Sequence, residues 1–199
     1  MLLSGRGSNF LAIHAAIERG EIPARIVLVL SNVADAPGLA KARDLGLAAM
    51  AIPSRGMPRR EHEQRVVAAL RQAEAEWICL AGYMRLLSPE LVGAFPRRIV
   101  NIHPSLLPAF PGLDAQGQAL AHGVKVSGCT VHLVDEGLDS GPIVVQRTVP
   151  VLDGDSPQTL AARILEAEHQ AYHEALCRLL TQGWRVEGRR LLFGPPSGG

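Results

Sequence analysis

The sequence predicts an α/β fold: a mostly parallel, twisted sheet with helices on both faces and antiparallel strands in the C-terminal half. Two observations support this prediction. Through the first half of the chain, short apolar runs flanked by turn residues alternate with helical patterns. Later, two apolar runs follow each other with only a short loop between them, which is too short for a helical crossover. Hydrophobic residues make up 47% of the 199 residues, enough for a substantial core.

The first half of the chain alternates strictly between predicted strands and predicted helices. The strands are expected at residues 1–4, 25–31, 48–53, 77–82 and 98–103. Each helix has a plausible cap or a proline close to its first turn, and the helices begin near Ser8, Pro37, Pro58 and Ser88. Because strand and helix alternate, the strands are expected to be parallel and covered on both faces.

The second half of the chain has a different pattern. Residues 127–134 and 143–151 are apolar runs joined by the acidic loop 135–142, and this spacing predicts an antiparallel pair. A long helix is then expected from Asp155-Ser156-Pro157 to about Gln182.

The last residues predict an edge strand at 185–193 and a loose tail at 195–199. The sequence contains no internal repeat and no low-complexity linker. We therefore expect residues 1–199 to form a single domain.

Composition narrows the class of protein. The net charge is +1, so the chain has no global electrostatic footprint for nucleic acid or for an anionic membrane. Its cysteines, Cys79, Cys129 and Cys177, are scattered, which is typical of buried thiols in a reducing compartment. The apolar start is too short for a signal peptide, and the longer apolar runs are too short to span a membrane. We expect a soluble cytoplasmic protein that binds no nucleic acid and no membrane.

A glycine-rich loop, Ser4-Gly5-Arg6-Gly7-Ser8-Asn9, joins the first strand to the first helix. Glycines allow close approach of a ligand to the backbone, and a helix start offers free N–H groups to an anion. The loop lacks the nucleoside-triphosphate motif GxxxxGK[ST], and Phe10 occupies the third glycine position of the dinucleotide motif GxGxxG. The pattern favours a single phosphate. The alternative is a plain turn in which Ser8 caps the helix.

Asn101 and His103 lie at the end of the fifth predicted strand. Residues two apart in a strand face the same side, and the carboxyl ends of parallel strands are where α/β sheets bind ligands. An amide donor beside an imidazole suits a carbonyl whose oxygen becomes negative in a tetrahedral transition state. A carboxylate would complete the set, and the candidates are Asp135, Glu136 and Asp139.

A purely structural role is the alternative for these side chains. A histidine at a strand end is often structural, and an asparagine before a proline-rich turn is often part of the turn. We expect no HxH, HxxxH or HExxH pair among the histidines, and therefore no metal. Cys129 lies in an apolar strand and is most simply a core residue.

Six segments that together cover almost the whole chain carry a family resemblance. They are SGRGSN (4–9), SNVADAPGL (31–39), LAGYMRLLSP (80–89), NIHPSLLPAFPG (101–112), VHLVDEGLDSGPI (131–143) and EHQAY (168–172). In order and spacing they resemble the phosphoribosylglycinamide formyltransferase family of folate-dependent enzymes.

The resemblance implies a Rossmann-like, phosphate-binding half at about residues 1–100 and a folate-binding, catalytic half at about 101–199. It implies direct transfer of the formyl group of 10-formyltetrahydrofolate, the co-substrate, to the amine of glycinamide ribonucleotide in de novo purine biosynthesis. The reaction would pass through a tetrahedral intermediate without a covalent enzyme intermediate or a metal. A homodimer is possible.

The resemblance also implies roles for individual residues. The catalytic set would be Asn101, His103 and Asp139, with Asp139 keeping the histidine charged and relaying the amine proton. The ribonucleotide would be bound by Gly7, Ser8, Asn9, Phe10 and Glu168. The folate would be bound by Arg60, Met84, Arg85, Leu86, Leu87, Asn101, Val134, Asp135, Glu136, Gly137 and Leu138. Arg59 is an alternative to Arg60 for the glutamate tail of the folate.

The chain departs from the family pattern in two places. Relatives usually have several more residues before SGxGSN, and they commonly have His and Arg where this chain has Asp114-Ala115-Gln116-Gly117. The alternatives are a formyltetrahydrofolate hydrolase, which usually carries a regulatory domain ahead of the core, and a non-catalytic module that binds folate or nucleotide.

Overall fold

The computed structural model describes residues 1–194 and contains a single sheet. Its strands are β1 (Leu2–Leu3), β2 (Val29–Ser31), β3 (Ala49–Ala51), β4 (Ile78–Leu80), β5 (Ile99–His103), β6 (Val126–Leu133), β7 (Ile143–Pro150), β8 (Gly183–Glu187) and β9 (Arg190–Gly194). Its helices are α1 (Ser8–Glu18), α2 (Pro37–Asp44), α3 (Arg59–Gln72), α4 (Pro89–Ala94), α5 (Ala115–Ala121) and α6 (Pro157–Thr181).

The strand order is β3-β2-β1-β4-β5-β6-β7-β9-β8. The first five strands in this order pair in parallel, and β6 pairs antiparallel with both β5 and β7. The predicted fold class, including the antiparallel pair in the C-terminal half, is therefore confirmed. The predicted tail at 195–199 lies outside the described residues.

Two predicted elements differ from the structure. The predicted strand 25–31 pairs with its neighbours only at Val29–Ser31, at two positions with β1 and at three with β3. The single edge strand predicted at 185–193 is in fact the β8–β9 hairpin. Its turn includes Gly188 at φ 59, a left-handed conformation that glycine adopts without strain.

One helix was not predicted. Helix α5 begins after Asp114, whose side chain accepts a hydrogen bond from the N–H of Gly117 at 3.2 Å. This is ordinary N-cap chemistry. The segment that departs from the family pattern therefore starts a short helix.

The long helix α6 ties the sheet together next to the site. Tyr172 is fully buried, and its hydroxyl lies 2.9 Å from the carbonyl of Val100 and 3.1 Å from that of Leu80. These contacts hold α6 against β4 and β5. As a result, Glu168, one turn earlier on α6, is placed beside the start of α1, where its carboxylate meets Asn9.

Candidate active site

Asn101, His103 and Asp139 converge at the carboxyl end of β5. Nδ1 of His103 lies 3.4 Å from Oδ2 of Asp139, and the side chains are 6% and 12% exposed. Asn101 is half-buried on the same strand. The structure thus brings together an amide and an imidazole from β5 and a carboxylate from a loop that is distant in the sequence.

The two ring nitrogens of His103 both face acceptors. Nε2 lies 2.8 Å from the carbonyl oxygen of Phe110, and Nδ1 faces the carboxylate of Asp139. A carbonyl oxygen only accepts, so Nε2 must donate to it. Nδ1 faces the carboxylate at a distance longer than that of a strong hydrogen bond. Phe110 and Asp139 are therefore the two groups that orient the ring of His103.

The geometry distinguishes the three acids of the loop, of which Glu136 is exposed. Oδ1 of Asp135 accepts hydrogen bonds from Gly137 N at 3.1 Å and from Ser140 Oγ at 2.7 Å, so this carboxylate closes its own loop. Asp139 instead accepts from Gly112 N at 2.9 Å and faces His103. Asp139 is therefore the acid of this loop that belongs to the Asn101 and His103 cluster.

The loops around His103 contain backbone strain. Phe110, Asp114 and Asp139 all have left-handed φ values, of 52, 54 and 48 respectively. Such values are uncommon for residues other than glycine, and they concentrate at functional sites. Here they turn the Phe110 carbonyl and the Asp139 carboxylate toward the histidine ring.

His132 is a site residue that the sequence analysis missed. It is 2% exposed, and its Nδ1 lies 3.1 Å from the carbonyl of Leu133, which fixes the proton on Nδ1 in the neutral ring. Nε2 is then free to accept from Nδ2 of Asn101 at 3.2 Å. Burial lowers the pKa of His132, which favours this neutral form. The signal that could have found it is the register of β5 with β6, which pairs Asn101 directly with His132.

The glycine loop is built around a left-handed glycine. Gly7, at φ 68, is the N-cap residue of α1 and makes no side-chain cap hydrogen bond, so the alternative in which Ser8 caps the helix is wrong. A Cβ at Gly7 would lie 3.2 Å from side-chain atoms of Leu3 and Phe10. Phe10 is fully buried, which leaves only its backbone for any ligand. The loop therefore presents backbone N–H groups at the start of α1.

Glu168 joins α6 to this loop. Its Oε2 accepts a hydrogen bond from Nδ2 of Asn9 at 2.7 Å, and both side chains are buried. Burial raises the pKa of Glu168, while the hydrogen bond from Asn9 opposes that rise. The structure thus places two of the predicted ribonucleotide residues in direct contact.

Residues 84–87 form an exposed segment after β4. The side chains of Met84 and Leu86 are 70% and 62% exposed. Arg59 donates from Nη2 to the carbonyl of Leu86 at 2.9 Å, whereas Arg60 lines a cleft of about 350 Å³ between α3 and α4. Of the two arginines left open by the sequence, Arg59 is the one attached to this segment.

The loop of residues 134–138 connects the end of β6 to Asp139, the carboxylate of the cluster. The N–H of Val134 bonds to the carbonyl of Ile99 at 2.9 Å, and residues 135–138 are exposed. A side-chain methyl of Leu138 lies 3.6 Å from the position of a Cβ on Gly112. The loop is therefore anchored at Val134 and packs against the loop that carries Phe110.

The structure does not support a nucleophilic role for Cys129. The residue is fully buried in β6, and burial raises the pKa of its thiol to about 12. A thiol that stays protonated at neutral pH is a poor nucleophile. Cys129 is a core residue, as the sequence predicted.

One histidine pair has the spacing of metal ligands and was overlooked in the sequence analysis. His169 and His173 are four residues apart on α6, and Nε2 of His173 lies 3.6 Å from Glu21. Within residues 1–194, no group of at least three His, Cys, Asp or Glu side chains is arranged to hold a metal ion. In the same part of the chain, none of the helices has the length and apolar character needed to cross a bilayer.

Comparison with known proteins places this geometry in a family. Residues 1–176 match the formyl transferase family model. The phosphoribosylglycinamide formyltransferase of Bacillus subtilis is 41% identical over 178 residues, which cover 89% of this chain and 91% of that protein. A trifunctional purine biosynthetic protein of Drosophila pseudoobscura pseudoobscura is 47% identical, but the chain spans only 14% of its length.

Solved structures agree with these relatives. The glycinamide ribonucleotide transformylase 1 of Symbiobacterium toebii superposes with a TM-score of 0.94 at 47% identity, covering 96% of this chain and 91% of that one. A formyltetrahydrofolate deformylase of Pseudomonas syringae gives a TM-score of 0.90 at 25% identity, and the match covers 64% of it. From the match over residues 1–176 and the identity with full-length relatives, the chain belongs to the formyl transferase family, among the phosphoribosylglycinamide formyltransferases.

Proposed function

We propose that this protein transfers the formyl group of 10-formyltetrahydrofolate to the amine of N1-(5-phosphoribosyl)glycinamide in de novo purine biosynthesis. The observation that carries the proposal is the Asn101, His103 and Asp139 cluster at the end of β5, in a chain of this family. The cluster combines an amide donor, an imidazole and a carboxylate at the carboxyl end of a strand.

The ribonucleotide phosphate binds at the start of α1. Backbone N–H groups after Gly7 and the positive end of the helix dipole suit an anion. Glu168, held by Asn9, accepts a hydrogen bond from the glycinamide ribonucleotide. In this proposal residues of about 1–100 bind the phosphate and contribute residues 84–87 and an arginine of α3 to the folate site. Residues of about 101–199 complete the folate site and supply the catalytic set.

The reaction is direct amine attack on the formyl carbon. As the C–N bond forms, the carbonyl oxygen becomes an oxyanion, and the second N–H of Asn101 donates to it. The N–H at Nδ1 of His103 donates to it as well, in place of its long 3.4 Å contact with Asp139. The first N–H of Asn101 is already donated to His132, which fixes the plane of the amide. The bond from carbon to N10 then breaks, and the proton lost by the amine, relayed through Asp139, ends on N10 of tetrahydrofolate.

The folate lies along two loops. Met84 and Leu86 offer exposed apolar surface to the pterin, together with Arg85 and Leu87, and residues 134–138 lie over it. An arginine at the start of α3 meets the glutamate tail. Support for Arg59 over Arg60 comes from the contact between Arg59 and Leu86.

The test is a formyl-transfer assay with 10-formyltetrahydrofolate, with and without glycinamide ribonucleotide. Consumption that depends on the amine is expected. Asn101→Ala and His103→Ala should each lower kcat by roughly 10²–10³ with little change in ligand affinity, because these donors matter most to the oxyanion. Consumption by water alone would identify a hydrolase, and no consumption would identify a binding module.

A further inference from the structure

Glu63 is a buried acid that the proposed reaction does not use. It lies on α3 and is 4% exposed, and its Oε2 is among the buried atoms of residues 1–194 that have no hydrogen-bond partner. Burying a carboxylate is unfavourable unless its contacts compensate. The contacts of its other oxygen therefore indicate what the residue does.

Oε1 of Glu63 accepts two hydrogen bonds. One comes from the backbone N–H of Ser88 at 3.1 Å and the other from Nε of Arg59 at 3.3 Å. Ser88 is the N-cap of α4, and its own Oγ accepts from Leu91 N at 3.3 Å. In a capping box the third helical residue would bond back to the N-cap N–H, but here that residue is Leu91. Glu63 takes over this task from a different helix.

The same carboxylate orients Arg59. With its Nε held by Glu63, Arg59 donates from Nη2 to the carbonyl of Leu86. The segment of residues 84–87 is thus held at Leu86 by Arg59. The residue that follows the segment, Ser88, is held by Glu63 directly. At its start, the N–H of Met84 donates to Oγ of Ser4 at 2.8 Å.

We propose that Glu63 is a positioning residue for the folate co-substrate. It fixes the backbone of residues 84–87, so that the exposed side chains of Met84 and Leu86 present a preformed apolar surface, and it holds Arg59 beside that surface. The inference rests on the proposed function, because that proposal places the folate on this segment. A fixed segment raises affinity by lowering the ordering cost of binding.

The experiment compares Glu63→Ala, Glu63→Gln and the wild type. Tetrahydrofolate binding is measured by calorimetry, and formyl transfer gives kcat and the KM for each substrate. For Glu63→Ala we expect the Kd for tetrahydrofolate and the KM for the formyl-folate donor to rise about tenfold, the size of one lost hydrogen bond to a charged group. The kcat and the KM for glycinamide ribonucleotide should stay unchanged.

Glu63→Gln separates geometry from charge. Its side-chain oxygen can still accept from Ser88 N, but it no longer attracts Arg59, so a rise in the folate KM by only about threefold is expected. The matched control is Glu61→Ala on the same helix. Glu61 pairs with Arg65 at 2.6 Å across one helical turn and is 48% exposed, and its loss should leave every constant unchanged.

The outcomes are distinct. A folded Glu63→Ala variant that binds tetrahydrofolate as tightly as the wild type would overturn the inference. So would equal changes in both KM values and kcat, which indicate a general structural defect. If Glu63→Ala does not fold, the same comparison is made with Glu63→Gln. A rise in the KM for the formyl-folate donor alone supports the inference, and equal changes in that KM and in the KM for glycinamide ribonucleotide overturn it. A wild type that does not bind tetrahydrofolate would overturn the proposed function itself.

Discussion

The loop of residues 4–9 and the segment of residues 84–87 follow the neighbouring strands β1 and β4, but they are held in different ways. The first is fixed by buried side chains: Asn9 is 7% exposed and Phe10 is fully buried. The second is held through its backbone, while Met84 and Leu86 are largely exposed. An anion needs fixed N–H groups, whereas an apolar ring needs a surface that it can cover on binding.

The comparison leads to different expectations for mutations. Changes in residues 5–9 should affect the ribonucleotide alone, and changes in the segment of residues 84–87 should affect the folate alone. Ser4 is the exception, because its hydroxyl also accepts a hydrogen bond from the N–H of Met84. Changes in the cluster at the end of β5 should affect the chemical step. The predictions below test this separation.

The largest effect is expected at the cluster, for Asp139→Asn. The change keeps the shape of the side chain but removes the negative charge that faces Nδ1 of His103 and that, in the proposed reaction, accepts the amine proton. We expect kcat to fall by about 10²-fold or more, with both ligands still bound. Asp135→Asn is the matched control, because Asp135 bonds within its own loop. If the control loses kcat and Asp139→Asn does not, the assignment within this loop is wrong.

Gly7→Val should nearly abolish ribonucleotide binding and leave the Kd for tetrahydrofolate within about twofold, as expected for independent sites. A Cβ there would crowd Leu3 and Phe10 at 3.2 Å, and φ 68 strains a β-branched residue. Calorimetry with each ligand measures the effect. Gly20→Val is the control, since Gly20 has φ +72 but no heavy atom within 4 Å of its Cβ position. Equal loss of both ligands would contradict the separation.

Glu168 should make ribonucleotide binding dependent on pH. Burial raises its pKa above the ordinary 4.5, so the folded protein holds this proton over a range in which the unfolded chain has lost it. Its contribution to the free energy of unfolding is then present below pH 4.5 and lost as pH rises through the folded value. As pH decreases through the pKa of Glu168 in the folded protein, its carboxylate becomes protonated, and the affinity for the ribonucleotide should fall.

The measurement for Glu168 is the KM for glycinamide ribonucleotide against pH, in the wild type and in Glu168→Gln. The variant should have a KM about tenfold higher near neutrality, equal to one lost charged hydrogen bond, and a flatter profile. The folate KM should not change. If this KM depended on pH in the same way in the wild type and in Glu168→Gln, Glu168 would have no role in ribonucleotide binding.

Leu86→Ala should have a smaller effect, confined to the folate. The side chain is 62% exposed, so its loss leaves no cavity and little change in stability. It removes apolar surface that the ligand would cover, and the KM for the formyl-folate donor should rise about fivefold. Leu152→Ala is a control of similar exposure, 53%, in the turn before α6. A change in the ribonucleotide KM would show that the two regions are not independent.

The smallest effect on activity is expected for Cys129→Ser. The thiol is fully buried and stays protonated at neutral pH, so kcat per folded molecule should be unchanged. The free energy of unfolding should fall by about 1–3 kcal/mol, because a hydroxyl is buried there in place of a thiol. Denaturant unfolding and active-site titration together measure both quantities. A loss of kcat in the folded variant would reopen a thiol mechanism.

The sequence by itself determined the order and type of most elements. Alternating apolar runs and helical patterns identify the parallel half, and the short loop of residues 135–142 identifies the antiparallel pair. The candidate residues Asn101 and His103 follow from their place at a strand end. These features are local, since spacing and turn chemistry express themselves within a few residues.

Only the tertiary structure decided which distant groups meet. The approach of Asp139 to His103, the partnership of His132 with Asn101, and the contact of Asn9 with Glu168 depend on strand register and helix packing across up to 159 residues. The attachment of Glu63 to Ser88 is of the same kind. A hydrogen bond between distant segments leaves no periodic signal in a single sequence, because only the packed fold brings its donor and acceptor together.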